Sequence, residues 1–575
     1  MSAPLSPVEK IKTQSRLLRG TLAESVADPL TGALREDDTQ LIKFHGSYQQ
    51  DDRDLREERR LQKLEPAYSF MIRTRLPGGI ATPAQWRAMD DVATTFANGT
   101  LRLTTRQAFQ VHGVVKRELK ATIAAMNAAL IDTIAACGDV NRNVVASSHA
   151  GGSDLEAEVL RWSRRLSEHL LPRSTAYYEI WLDGKKYVDS GDGGSRAVSV
   201  DTAHDVEPIL GPTYLPRKFK AGIALPPVND VDVFAQDLGF IAIVADGRLS
   251  GFNLVAGGGM GATHGEPATY ARLASLIGFL PPERLLEVAQ TVVEIQRDFG
   301  DRSNRKHARL KYTIDDRGLP WFHEELARRL GGPLAPPQPF RFTGSGDRFG
   351  WYQGENGLWQ VTLRIPSGRI ADRGQGPWRS GLRRIAEVHT GHFRLTPNQN
   401  LVIADIATAD RPAIEALLRE HQLDLHERAS PVRRDALACV ALPTCPLAMA
   451  EAERYLPELV GQLERLLDKS GLAGEPLLAR MTGCPNGCAR PQLAELALIG
   501  KAPGRYNLYV GGDSRGVRMN RLHRENLDET SILTELDRLF AYWARNRQSQ
   551  ERFGDFVHRL WPAGPIDIGT GAGAA

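Results

Sequence analysis

The chain has 575 residues, 25% of them charged, with 72 Lys and Arg against 69 Asp and Glu and a formal net charge of +3. That length needs several hydrophobic cores, and so small a basic excess gives no electrostatic footprint for nucleic acid. No apolar run approaches the roughly 20 residues of a membrane span, so no membrane association is expected, and the N-terminus lacks the apolar core of a secretory signal, so a cytoplasmic location is expected.

Residues 1–62 read as a charged arm ending in QQDDRDLREERRLQKLEP, suited either to solvent or to packing along the protein or a partner. The chain then repeats itself. RLPGGI, from Arg75 to Ile80, is echoed by RIPSGRI, from Arg364 to Ile370; GTLRLTTRQAFQV, from Gly99, is echoed by GHFRLTPNQNLVI, from Gly391. Arg102, Leu103, Thr104 and Gln107 fall opposite Arg394, Leu395, Thr396 and Gln399, and both copies alternate apolar and polar residues as half-buried strands do. Each repeat leads into a longer block with a strand, a basic or cysteine-bearing turn, a hairpin-like strand pair and a helix. The helices are expected in PPERLLEVAQTVVEIQRDFG and TSILTELDRLFAYWARNR.

The expected organisation is therefore the arm 1–62, a first repeat 63–134, a first block 135–335, a second repeat 336–409 and a second block 410–575. The fold class is α+β, with two halves related by a pseudo-twofold axis and a cleft between them suited to a cofactor. The Pro- and Gly-rich stretch from Gly331 to Gly350 reads as the crossover between halves. Asp183 to Asp205 reads as an exposed loop, and the C-terminal GTGAGAA as a disordered tail.

Four of the five cysteines crowd into the second block: Cys439 and Cys445 as C-x5-C running into a helix, Cys484 and Cys488 as C-x3-C in the turn TGCPNGCAR. These loops are the wrong size for the usual zinc spacings, whereas four thiolates from two loops suit a [4Fe–4S] cluster. Gly483 and Gly487 permit sharp turns, and free backbone N–H groups there are expected to donate to cluster sulfur. Cys137, alone in an alanine-rich segment read as helical, is expected to be a small core residue.

ACVALPTCPLAMAEAER and TGCPNGCAR resemble the signature of the sulfite reductase haemoprotein family, on its NADPH-dependent assimilatory branch. The resemblance covers nearly the whole chain through KFHGSYQQDDRD, RLPGG, RLTTRQAFQVHG, NRNV, EIWLDG, EPILGPTYLPRKFK, GFNLVAGGG and GKAPGRYNL. An insertion around Asp192 and the extended C-terminus depart from it without touching a motif. The resemblance implies the duplicated sulfite/nitrite reductase fold, with 63–134 and 336–409 as ferredoxin-like half-domains. It implies that Cys439, Cys445, Cys484 and Cys488 ligate the cluster, with Cys488 also axial to the iron of a sirohaem; the spacing itself does not separate Cys488 from Cys484.

Sirohaem is rich in carboxylates and sulfite is a dianion near neutral pH, so a buried site for both needs many cations. Arg73, Arg102, Arg106, Arg142, Arg217, Lys218 and Lys220 supply them, and an extended RKFK points Lys218 and Lys220 to one face. RKFK is read as standing in the first block where TGCPNGC stands in the second. The resemblance places Arg73, Arg142, Lys218 and Lys220 around sulfite, and Arg102, Arg106, His112, Arg217, Lys306 and Asn486 around the cofactor. The implied activity is six-electron reduction of sulfite to sulfide, with lysines supplying protons.

The rival readings are a sirohaem nitrite reductase and a tetrapyrrole- or cluster-binding protein without catalysis. PTCPLA and PNGCAR favour the sulfite branch, and RKFK with NRNV favours an open anion site over mere storage. AGGGMG and TGSGDRFG match neither nucleotide-binding pattern and read as turns, with GGGMG expected near the tetrapyrrole edge. With no flavin or NADPH domain in view, electrons are expected from a separate flavoprotein reductase, with ferredoxin as the alternative.

Overall fold

The structure is a computed structural model that describes residues 4–148, 152–173, 207–374 and 376–562, with the backbone of three short strands between residues 180 and 197. The fold is α+β and duplicated. The two sequence repeats form two five-stranded sheets, and each lends the other a strand. Arg369–Ile370, just after the second RIPSG, pairs antiparallel with Leu101–Leu103 of the first sheet, matching Arg369 to Arg102. Ile80–Ala81, after RLPGG, pairs with His392–Leu395 of the second, matching Ile80 to Arg394.

Glycine makes the exchange possible. A Cβ on Gly79 would lie 2.5 Å from the carbonyl oxygen of Leu395, and one on Gly368 2.1 Å from that of Leu103. Helices Pro83–Thr95 and Trp378–Val388 cover the two sheets; the first starts on a capping box between Thr82 and Gln85. Trp86 stacks on Phe393 of the other repeat at 4.6 Å, so one apolar core serves both repeats.

The two blocks have the same topology. Val145–Ala146, Ala221–Ala224, Leu238–Ala245, Arg248–Ala256 and Ser275–Leu280 form one sheet, its first two pairings parallel and the next two antiparallel. Leu437–Ala438, Ala479–Thr482, Leu496–Ala502, Arg505–Val510 and Arg521–Leu527 form the other in the same pattern. Helices Leu285–Phe299 and Glu529–Asn546 follow, as expected.

Register makes the correspondence residue by residue. Ala221 faces Leu238 as Ala479 faces Leu496, a constant offset of 258 (479 − 221 and 496 − 238). That offset corrects one expectation: RKFK lies before its strand and TGCPNGC after the equivalent one, so they are not counterparts. The counterpart of Cys488 is Asp230, and that of Lys220 is Leu478.

Of the two placements expected for the arm, it takes the packed one: Lys12, in helix Pro7–Gln14, is buried, with Nζ donating to the Leu215 carbonyl at 2.8 Å, and Glu9 pairs with Arg302 at 2.7 Å. Other expectations are corrected. Residues 133–140 form turns rather than helix because helix Leu119–Ala128 has already ended. The stretch after Cys445 also turns before its helix begins at Leu456. Within 183–205, strands Lys185–Asp189 and Ser195–Ala197 pair with each other and the former with Ile180–Leu182, so the segment is not simply a loop. The rest of it, like the C-terminal tail, lies outside the described residues.

Candidate functional site: a cysteine cage beside a cationic cleft

The four cysteines converge from two loops. Cys439 directly follows strand Leu437–Ala438, and Cys484 and Cys488 lie in the turn after Ala479–Thr482, its parallel neighbour. The Gly483 N–H points at Cys439 Sγ at 3.3 Å, Asn486 Nδ2 at Cys484 Sγ at 3.5 Å, and the Leu447 and Ala448 N–H groups at the Cys445 sulfur. Burial pushes the Cys445 thiol up to about 11, with further upward pressure from Cys488 and Cys484; Cys439 is raised by burial and by the other three cysteines, and Cys484 by burial and by Cys488.

Four mutually repelling sulfurs ringed by N–H donors fit a cationic iron core that takes four thiolates. Among the described residues no group of three His, Cys, Asp or Glu side chains is placed to hold a single metal ion.

Cys488 differs from the others. It is exposed while Cys484 is buried, and it opens on a cleft of about 410 Å³ lined by Thr105, Arg106, Lys218, Lys220, Arg309, Asn486 and Arg490 among others. The lining has five cations and no carboxylate. Arg309 is answered by Asp237 at 2.7 Å and Arg490 by Asp232 at 2.7 Å. The Lys218 and Lys220 ammonium groups have no carboxylate within ion-pair distance among the described residues. Phe219 between them is buried and bridges to Asn141, which turns both lysines to the cleft by simple alternation. Burial lowers Lys220 to about 7, with Arg309 and Arg106 adding repulsion, and pushes Lys218 well below the ordinary lysine range, reinforced by Arg217 and Lys220. Cations held this uncomfortably suit a polyanionic ligand, so the residues present fit a carboxylate-rich tetrapyrrole with an anion beside it.

Other predicted residues are placed differently. Arg73 and Arg142 form a layer next to the cleft rather than its lining. Arg73 Nη2 donates to Gln110 Oε1 at 3.3 Å, Nη1 contacts Cys137 Sγ at 3.5 Å, and its buried Nε has no partner among the described residues. Cys137 is buried in the core, as expected, and meets Arg73 there. Arg142 gives Nε and Nη2 to the Gly138 carbonyl at 2.9 and 2.7 Å and also meets Tyr48. Arg217 adjoins Lys218, and burial lowers it to about 10. Arg106 is at the cleft, with Nη2 on the Asn143 and Ala221 carbonyls at 2.7 Å.

Three residues expected at the cofactor are placed as follows. Arg102 is spent on Glu453 at 2.9 Å and on the Ala438 carbonyl, a buried tie between repeat and cysteine block. His112 is fully buried between Gln50 and Gln110, two hydrogen bonds behind Arg73 and outside the cleft. Lys306 is exposed and paired with Glu266; Arg309, three residues on, reaches the cleft instead. The sequence signal for Arg309 was weak, because its alternation with Leu310 and Lys311 becomes legible only once helix Leu310–Arg317 is placed. GGGMG lies against the cysteine turn: a Cβ on Gly261 would be 2.9 Å from the Asn486 carbonyl oxygen, and the Ala262 N–H donates to the Pro485 carbonyl at 2.9 Å.

The equivalent place in the second copy is a smaller pocket of about 260 Å³ with a different lining. The counterparts of Arg106 and Lys220 there are Asn398 and Leu478, and residues Ser345–Asp347 of the crossover line it with them. The Asp347 carboxylate there accepts from Thr396 Oγ1 at 2.7 Å and Asn400 Nδ2 at 2.7 Å.

Comparison with known proteins agrees with this geometry. The family model described as the nitrite/sulfite reductase ferredoxin-like half domain matches residues 62–129 and 352–421. The model described as the nitrite and sulphite reductase 4Fe-4S domain matches residues 161–334, in the block without the cysteine cage. The chain is 63% identical to the sulfite reductase [NADPH] hemoprotein beta-component of Myxococcus xanthus, over 97% of this chain and 96% of that protein. It is 55% identical to the protein of the same description from Geobacillus kaustophilus, over 99% and 97%. Among solved structures, Mycobacterium tuberculosis NirA superposes with a TM-score of 0.77 at 25% identity, over 97% of this chain and 96% of NirA.

Proposed function

The chain belongs to the nitrite and sulfite reductase family, and from that premise we propose which of its side chains hold the cofactors and handle the anion. It is a sulfite reductase haemoprotein, which reduces sulfite to sulfide in sulfate assimilation with a sirohaem and a [4Fe–4S] cluster. Cys439, Cys445, Cys484 and Cys488 hold the cluster. Cys488 is the cysteine that would also hold the sirohaem, a reading that rests on its being the cage cysteine that opens on the cationic cleft. When bound, the sirohaem supplies the iron at which sulfite is held and through which it receives electrons.

The protein's own part is binding, orientation and protons. Each sulfite oxygen leaves as water, taking two protons and two electrons. Lys218 and Lys220 attract the dianion, and their Nζ atoms hold the protons that its oxygens take up. A group near neutral pKa both keeps and releases a proton readily, which favours Lys220, at about 7, as a donor. The buried Arg73 Nε is a further donor awaiting an acceptor, and Arg142 orients the same edge. Electrons come from an NADPH-dependent flavoprotein partner, as the relatives' description suggests.

The observation that carries this reading is the pair of lysines without counter-charge, facing Cys488. Lys218→Met tests it: the variant should keep its haem spectrum and lose about 100-fold or more in sulfite turnover per haem. Loss of haem with undiminished turnover per remaining haem would falsify it.

A further inference from the structure

Asp237 and Glu495 are counterparts under the 258-residue offset, and both are buried, with 0% exposure. Each stands immediately before the third parallel strand of its block and pins the residue before the second. Asp237 Oδ2 accepts the backbone N–H of Lys220 at 2.9 Å, and the Leu238 N–H returns to the Lys220 carbonyl at 3.0 Å. Glu495 Oε2 accepts the N–H of Leu478 at 2.9 Å, and the Leu496 N–H returns to the Leu478 carbonyl at 3.2 Å. Each carboxylate also takes an arginine by two N–H groups: Arg309 at 2.8 and 2.7 Å, Arg552 at 3.2 and 2.5 Å. The device therefore belongs to the duplicated scaffold.

What differs is the side chain it aims. In the second copy the pinned residue is Leu478, which packs in an apolar cluster and carries no charge to the smaller pocket it lines. In the first copy it is Lys220, on the open cleft, and the arginine, Arg309, lines that cleft too. We propose that Asp237 is a positioning residue for sulfite reduction. By holding the Lys220 backbone and the Arg309 guanidinium on one carboxylate, it fixes where the Lys220 ammonium meets the anion. This rests on the reading of Lys220 as a donor to sulfite. A carboxylate pinned to a backbone N–H cannot drift, whereas a lysine on an unpinned strand entry has the freedom of four side-chain torsions and a mobile Cα.

A double-mutant cycle on the holoenzyme, with turnover normalised to bound haem and a small chemical reductant replacing the protein donor, tests this. Asp237→Asn should lower kcat per haem about tenfold, with a smaller change in the KM for sulfite. In a Lys220→Met background the same change should cost less than about twofold, because its effect passes through Lys220. Wild-type turnover per haem in Asp237→Asn, or an effect that multiplies in full with Lys220→Met, overturns the inference and leaves the role of Lys220 standing. An unaltered Lys220→Met enzyme overturns the Lys220 reading instead, and this inference with it. If Asp237→Asn takes up no haem, Asp237→Glu, which lengthens the tether by one methylene, carries the same cycle under the same two criteria.

Discussion

Asp232 and Arg490 are counterparts in the two copies, and they pair with each other. Arg490 Nε lies 2.7 Å from Asp232 Oδ2 in the buried seam between the blocks. Both residues have left-handed backbone, φ 46° and 53°, so the turn geometry outlived the change from one charge to the other. The pseudo-twofold axis passes between them. Arg480, fully buried, joins the same carboxylate at 2.7 Å.

Asp232→Asn leaves two buried guanidinium groups without their shared counter-charge. A loss of about 3–5 kcal/mol is expected. Thermal melting of the variant should show it as a clear fall in Tm, with the cluster and haem retained in the protein that folds.

Glu453 holds Arg102 at 2.9 Å and Arg369 at 2.6 Å, the two residues matched across the exchanged strand. Glu453→Gln should therefore destabilise the exchange itself, by about 2–4 kcal/mol. Faster proteolysis within residues 366–378 would report that opening, and an unchanged cleavage rate would contradict it.

Asp435 lines the smaller pocket of the second copy, where burial lifts its carboxyl to about 6 against an ordinary 3.8 despite Arg552 and Arg434 nearby. A carboxyl with a raised folded-state pKa supports the fold fully below the unfolded value, and that support is lost as pH rises through the folded value. The relevant window is pH 4 to 6. Asp435→Asn should thus raise stability at pH 7 by up to about 3 kcal/mol and change little near pH 4. Denaturation curves at the two pH values measure the difference, and an equal effect at both would exclude titration as its cause.

Asp230 stands where the second copy has Cys488, and Ser147 where it has Cys439, since Val145 faces Gly222 as Leu437 faces Arg480. In place of a cage, Asp230 accepts from Ser147 Oγ at 2.7 Å, Ser148 N at 2.7 Å and Ser148 Oγ at 2.9 Å. Asp230→Ala should lower Tm through about 2–4 kcal/mol of broken buried hydrogen bonds and leave iron and sulfide per folded chain unchanged. Cys439→Ser, at the counterpart of Ser147, should lose most of both. Colorimetric iron and sulfide analysis separates the two cases.

Local chemistry carried much of this protein in its sequence. Four cysteines in two tight loops announce a cluster because spacing and glycine are short-range properties, and RLPGG with RIPSG announce duplication because equal backbone needs equal residues. The alternation of Lys218 and Lys220 about Phe219 was legible for the same reason. Which cations stay uncommitted was not. Arg102 and Lys306 look as available in the chain as Lys218 does, yet Glu453 and Glu266 reach them from hundreds or tens of residues away. Arg309 enters the cleft and His112 stays behind it through packing alone. The exchanged strands and the pairing of Asp232 with Arg490 exist only once the two halves close on each other, and the shared grip of Asp237 on Lys220 and Arg309 only once the first block has folded. A charge's role depends on its partners and its burial, and only the tertiary structure decides those.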